Sequence, residues 1–342
     1  MSPDRRIPLE GITVLDLSRL LPGPCCSMIL AGYGARVIRV EPSGSKAGSL
    51  DVIPLEGLLR GKELVRIDLK DPAGLAGFLA LADRADVVLD GFRPGVTARL
   101  GIDPPSLRRR NPRLVTCSIT GYGGEGAGSG DAGHDLNYLA SAGILDLLTP
   151  SGELPRAPAL QLADLAGALH ATIGILSALR HRDRTGEGLH VDVSMTDAAL
   201  FLAILPMAFR TAGLGFRAGE SWLAGGLACY GVYRCADHGR LAVAALEPRF
   251  FRAFLGVLGL EALAPRQYLP DGQERLREAI SSRLMEHPLP WWIAAFEGVD
   301  ACVTPVLSFD EALEHERFHG RGQLYREDGD LLLDVVARLR DS

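Results

Sequence analysis

The sequence predicts an α/β fold, a Rossmann-like doubly wound parallel sheet joined to a second, smaller α+β domain. Three observations predict it. Short β-branched runs alternate with amphipathic segments along the first part of the chain, a long apolar helix followed at once by a strand closes that series, and near Gly225 the texture changes to two short strands around a turn.

Taken in order, ITVLDLS (12–18), ARVIRVE (35–41), ADVVLDGF (85–92) and RLVTCSITGYG (113–123) read as strands. Between them CCSMILAGYG and PAGLAGFLALADRA carry apolar residues at three- and four-residue spacing and read as helices. Strand and helix in alternation imply a parallel sheet covered on both faces. ALQLADLAGALHATIGILSALRHRDRTGEG (159–188) reads as a long buried helix ending on basic residues and glycine. LHVDVSM (189–195) adds a strand and TDAALFLAILPMAFRTAG (196–213) another helix, before the paired strands of CYGVYRCADHGRLAVAAL (229–246). The expected organisation is a large domain over 1–200, a linker over 201–224 and a small domain over 225–310, with 311–342 returning to the large domain.

The chain has 342 residues, 47% of them apolar, enough for a large core and more than a single core usually holds. A formal net charge of -6 argues against nucleic acid or an acidic membrane surface as a partner, since both need a basic face. Six cysteines (Cys25, Cys26, Cys117, Cys229, Cys235, Cys302) show no CxxC spacing, so neither a zinc site nor a disulfide framework is expected. MSPDRRIPLEG lacks an apolar signal core and no run of 18 apolar residues occurs, so the expected setting is the cytoplasm, with no membrane contact.

Gly121-Tyr-Gly123-Gly-Glu-Gly126 matches GxGxxG after a strand, but Ala-Gly-Ser-Gly-Asp follows where a helix would have to begin. It reads as a flexible glycine loop. GxSxG, a Walker lysine and HExxH are absent, leaving hydrolase, NTPase and metalloprotease chemistry without a foothold. His134 and Asp135 read as a helix N-terminus, or as something more. Asp164 sharpens the question, because Leu162, Ala163, Leu165, Ala166 and Ala168 surround it with apolar neighbours. It reads as an N-cap, a functional carboxyl, or both. Glu247 ends a predicted strand just before a proline and reads as a surface turn. Arg39, Arg60, Lys62, Lys70, Arg93 and Arg99 fall near strand ends, where open α/β sheets bind ligands.

PGPCCSMILAGYGARVIRVE, RGKELVRIDLKDPAG, ADVVLDGFRPGVTARLG, NPRLVTCSITGYG, AGHDLNYLASAGIL, LADLAGALHATIGILSAL and RTGEGLHVDVSM follow one another in this order. Together they resemble the family III CoA-transferase superfamily, and AGHDLNYL is similar to its α-methylacyl-CoA racemase branch. The resemblance implies an acyl-CoA substrate, with coenzyme A belonging to the substrate and no separate cofactor, and an interlocked homodimer. It implies acid/base roles for His134 and Asp164, with Glu247 orienting the histidine from the other subunit. It places Ile67, Asp68, Leu69 and Lys70 along the adenine and phosphate end of coenzyme A, Arg93 and Arg99 on its phosphates, and Gly133, Asp135, Leu136, Asn137 and Tyr138 beside the thioester. Where the branch carries an arginine after the second strand this chain has Pro42, so Arg39 or Lys46 is expected to take that contact. The resemblance also leaves a rival reading: transfer of coenzyme A between carboxylic acids through an anhydride on Asp164.

Chemistry supports the residue types independently. Inverting a carbon next to a thioester carbonyl needs a proton removed from one face and one returned to the other, so two groups must flank a planar enolate. Histidine titrates near neutrality, and an aspartate needs apolar surroundings to join it.

Overall fold

The computed structural model describes residues 7–43, 56–327, 329–334, 337 and 339; Lys46 lies outside them. In chain order the elements are β1 (Thr13–Asp16), α1 (Pro22–Gly32), β2 (Arg36–Glu41), β3 (Lys62–Arg66), α2 (Pro72–Ala82), β4 (Val87–Asp90), α3 (Val96–Leu100), α4 (Pro104–Arg110), β5 (Val115–Thr120), α5 (Asp135–Ser141), α6 (Ile144–Leu147), α7 (Leu162–Thr185) and β6 (His190–Ser194). There follow α8 (Met195–Phe201), α9 (Ile204–Thr211), β7 (Tyr230–Arg234), β8 (Arg240–Ala244), α10 (Pro248–Leu258), α11 (Gln273–Leu284), α12 (Leu289–Ala295), β9 (Val303–Pro305), α13 (Phe309–Glu314), α14 (Glu316–Gly320), β10 (Leu324–Glu327) and β11 (Asp330–Leu333).

Among the described residues six strands form one parallel sheet in the order β3-β2-β1-β4-β5-β6. The order reverses at β1, which pairs with β2 on one side and β4 on the other. In doubly wound sheets the crevice beyond the strand ends opens at such a switch point. The predicted strands β1, β2, β4, β5 and β6 all form. β3 was not predicted as a strand: it is an edge strand with a mostly exposed pattern, so its charges hid it from a hydrophobicity reading.

The 24-residue α7 ends on Gly186 in the left-handed conformation, and it packs against β5, β6 and α1. By length and composition it could cross a membrane, yet half of its apolar window is buried inside the fold. The helix expected over 196–213 is two helices, α8 and α9. Pro206 has no N–H to donate and its ring crowds the carbonyl four residues back, at Leu202, which is where α8 gives out.

Contacts divide the chain into two units. The first takes in the described residues of Met1–Ile144, Ala157–Ala203 and Gly320–Ser342, and the second Leu145–Arg156 and Ile204–His319. The boundaries differ from the sequence expectation: 145–156 go with the second unit, the stretch 204–224 is part of that unit and carries α9, and the return to the first unit begins at 320 instead of 311. The second unit is built on an antiparallel sheet, β7-β8-β9, whose core gathers Tyr233, Leu241, Phe251, Phe254, Ile280 and Trp292.

Candidate active site

A helix begins with backbone N–H groups that its own turns cannot satisfy. In α7 the N-cap residue Gln161 makes no side-chain cap. The missing acceptor comes from α5: Asp135 Oδ1 receives the N–H of Ala163 at 2.7 Å and of Asp164 at 3.0 Å. That one carboxylate clamps the start of α5 onto the start of α7. Asp164 is therefore the receiver of a cap and not the cap itself, and Asp135, expected beside the thioester, has one oxygen committed to α7.

His134 is the N-cap residue of α5, exposed, in extended conformation, with its N–H donated to Asn137 Oδ1 at 3.1 Å. Asp164 lies in the first turn of α7 and is half-buried. Burial, reinforced by the negative charge of Asp135, pushes its carboxyl from the ordinary 3.8 up to about 6. A carboxyl in that range exchanges protons readily near neutrality.

Tyr138 stands under this junction. Its hydroxyl donates to the carbonyl of Gly133, and its ring meets Tyr122 edge-on with centroids 5.2 Å apart. Burial and the charge of Asp164 push the phenol up to about 12, and the positive charge of Arg93 opposes that rise. Arg93 is thus within electrostatic reach of the junction. The glycine-rich stretch finds its use here: a Cβ on Gly121 would come 2.5 Å from the Tyr138 ring, and one on Gly133 would come 2.7 Å from it. Gly124 donates its N–H to both oxygens of Asp192, at 3.1 and 3.0 Å. Gly121 of the GxGxxG match makes room for a tyrosine ring, and α5 starts only at Asp135.

A second polar cluster joins the last residue of β1, Asp16, to Arg39 within β2 and the first residue of β3, Lys62. Asp16 Oδ2 accepts from Ser27 Oγ at 2.5 Å and lies 3.6 Å from Lys62 Nζ, with both charged side chains almost fully buried. Lys62 Nζ also donates to Ser27 Oγ at 2.7 Å and to the Pro24 carbonyl at 2.8 Å. Beside it Arg39 pairs with Glu41 through Nε at 2.8 Å, while its Nη1 is buried with no partner among the described residues. A buried guanidinium nitrogen without a partner among the described residues is a ready donor for an anionic oxygen.

The remaining sequence candidates fall as follows. Ile67 donates its N–H to the Glu41 carbonyl at 2.7 Å, and Ile67 and Leu69 are half-buried against the sheet core, whereas Asp68 and Lys70 are exposed. Arg93 and Arg99 are exposed, as are Leu136 and Asn137. Arg60 pairs with Glu327 at 3.4 Å, and Glu63 with Arg36 at 2.7 Å. Glu247 belongs to the second unit, exposed, as the N-cap residue of α10. The Asp16–Lys62 cluster and the clamp by Asp135 escaped the sequence reading. Two buried serines flanking one aspartate carry no distinctive spacing, and a cap supplied from 28 residues away is visible only in three dimensions.

The family model for CoA-transferase family III matches residues 9–336. Alpha-methylacyl-CoA racemase from Homo sapiens is 40% identical over 319 residues, covering 92% of this chain and 81% of that protein. Its counterpart from Mus musculus is 37% identical, covering 95% and 84%. A crystal structure of a CAIB/BAIF family protein from Brucella suis superimposes with a TM-score of 0.85 at 26% identity, covering 99% of this chain and 94% of that one.

Asp164 has a stability signature. Its folded value lies above its ordinary one, so the stability it contributes is full below about pH 4 and is lost as pH rises through about 6, where the buried carboxyl must ionise. Asp164→Asn removes that loss. Urea denaturation should show the variant more stable than wild type at pH 8 by about 1–2 kcal/mol, with the gap closing near pH 4; equal gaps at the two pH values would contradict the assignment.

Proposed function

The chain belongs to CoA-transferase family III, and on that footing we propose that it is an isomerase inverting the α-carbon of 2-methylacyl-CoA thioesters. The observation that carries this reading is the clamp of Asp135 onto α7, which brings a histidine and a carboxyl raised to about 6 onto two adjoining helix starts. One group takes the α-proton from one face and the electron pair of that C–H bond moves into an enolate. The other returns a proton to the opposite face, and the thioester bond is untouched. No atom changes oxidation state, so coenzyme A enters as part of the substrate and the chemistry calls on no redox partner.

The enolate oxygen needs donors already in place. The amides of Ala163 and Asp164 are engaged by Asp135, which leaves the N–H groups of Asp135 and Leu136, the first two of α5, as candidates. Arg93, Arg99 and the free nitrogen of Arg39 suit the phosphates of coenzyme A, with Ile67 and Leu69 offering apolar backing to its adenine. In this reading Glu247 orients His134 in the assembled protein.

Incubation with one epimer of a 2-methylacyl-CoA in deuterium oxide, followed by proton NMR, should show α-deuteration together with the second epimer. His134→Ala and Asp164→Ala should each lower that rate by at least about a thousandfold while coenzyme A still binds. A thioester left intact until a second carboxylic acid is added, and then exchanged, would instead support transfer through an anhydride on Asp164.

The two productive states, neutral imidazole with protonated Asp164 and imidazolium with carboxylate, carry the same number of protons. Epimerisation should therefore follow one bell-shaped pH profile in both directions. Measuring kcat/KM for each epimer from about pH 5 to 9 checks it, and profiles displaced from each other would exclude the shared pair.

We further propose a homodimer. In the first unit Leu169 and Ile173 of α7 are 55% and 60% exposed, and Phe201, 58% exposed, stands against the adjacent His170. In the second unit Ile204 and Met207 of α9 are 63% and 49% exposed. Apolar faces of this kind mark association surfaces. Sedimentation should give twice the chain mass of 36.6 kDa, and Ile173→Glu should lower the assembly constant by tenfold or more.

A further inference from the structure

Leu20 has a backbone φ of 63°, a left-handed conformation that leucine rarely adopts because its Cβ crowds the following carbonyl. Strain of this kind persists only where the surroundings impose it. Here the surroundings are identifiable. On one side of Leu20, Ser18 donates both its N–H, at 2.9 Å, and its hydroxyl to Asp16 Oδ1. On the other, Lys62 holds the Pro24 carbonyl in the first turn of α1 and Ser27 in its second, and it does so while lying within reach of the same aspartate. Both ends of the turn are thus tied to one buried ion pair. Gly23 packs so closely that a Cβ there would lie 2.1 Å from the Ser18 side chain, so the turn has no room to relax on that side.

The turn stands at the switch point of the sheet, between β1 and β4. A Cβ on Gly91, just past β4, would lie 3.8 Å from that of Ser18, so the two exits adjoin. That Leu20 and Asp164 lie toward the same edge of the sheet follows from helix geometry. α1 and α7 both return from the carboxyl edge of the sheet, and they touch where Thr172 Oγ1 donates to Cys26 Sγ at 3.4 Å. Counting back along the helix axes at 1.5 Å per residue, Pro22 lies about 6 Å and Asp164 about 12 Å from the level of that contact, toward the same edge, with Leu20 two residues before Pro22. Leu20 is 37% exposed, a strained apolar side chain left partly open at the same edge of the sheet as the proposed reacting carboxyl.

Resting on the proposed acyl-CoA epimerisation, we propose that Leu20 is a specificity-determining residue, an apolar wall for the acyl group next to its α-carbon, held in place by the buried Asp16–Lys62 pair. The turn's strain maintains that wall; a relaxed turn would carry the side chain elsewhere.

The test uses the full chain with Leu20→Gly, which adopts the left-handed conformation freely, and Leu20→Ala, which keeps the strain and loses the wall. The readouts are melting temperature, the Kd for free coenzyme A, and α-deuteration kcat/KM across acyl-CoAs with small and bulky α-substituents. Leu20→Gly should keep its melting temperature within about 2 °C of wild type. Both variants should leave the coenzyme A Kd unchanged and shift the bulky-to-small ratio of kcat/KM by about tenfold or more, the discrimination an apolar contact supplies. An unshifted ratio in an active protein overturns the role of Leu20 alone. A glycine variant that melts far lower and loses all substrates equally makes Leu20 a packing residue and overturns it too. A wild type that binds coenzyme A but exchanges no α-proton removes the epimerisation, and the wall with it.

Discussion

The candidate site depends on one interaction, the acceptance of two α7 amides by the carboxylate of Asp135. The first turn of any helix needs acceptors, and a residue adjacent in sequence normally supplies them. Here Gln161 does not, and the acceptor is borrowed from α5. The borrowing fixes the register between the two helix starts, which is why the backbones of His134 and Asp164, 30 positions apart in the sequence, stand at adjoining helix starts. It also divides the labour between two carboxyls. Asp135 takes the amide hydrogen bonds, and Asp164 is left with burial and a like-charged neighbour, both of which favour the neutral acid. Two aspartates of identical chemistry acquire different surroundings from the way the two helices meet.

Below them, the Tyr138 ring fills the space that an ordinary residue at 121 or 133 would occupy. Its hydroxyl closes on the Gly133 carbonyl, so the loop leading into His134 is anchored by the first turn of the helix that His134 caps. The glycines are small so that an aromatic ring can come close, and the resulting support is rigid. A glycine motif after a strand therefore need not receive a phosphate. What decides is where the next helix begins, and here eight residues separate Gly126 from α5.

Much of this was legible in the sequence because the relevant signals are local. The buried strands read as β-branched runs, α7 as a continuous apolar helix with a glycine stop, and His134 and Asp164 as polar residues where apolar ones would serve the fold better. What stayed hidden was tertiary or marginal. β3 exposes most of its side chains on a sheet edge, so Lys62, Glu63 and Arg66 masked its strand character. Pro206 lies late enough in its segment that the run of 196–213 still looked like one helix. The Asp16–Lys62 pair joins residues from two strands that are not even adjacent in the sheet, reached through a helix lying across them.

That pair also shows why a buried charge can be retained in a protein whose core would be cheaper without it. Replacing an ion pair by well-packed apolar residues is often neutral or stabilising, so the pair is poor support for a stability role. What it does supply is geometry: Asp16 fixes Ser18 and Ser27, Lys62 fixes Pro24, and the turn between them has its two ends set independently of its own sequence. Apolar packing, being non-directional, would allow such a turn to slide toward an unstrained conformation. Hydrogen bonds to charged groups hold distance and angle together, and burial removes the competing water. A sheet that presents its crevice at the β1–β4 switch point needs that directional hold on the β1 exit, just as the α5 exit needs Asp135. In both places a carboxylate receiving directed donors holds a chain segment, the turn before α1 by Asp16 and the start of α7 by Asp135.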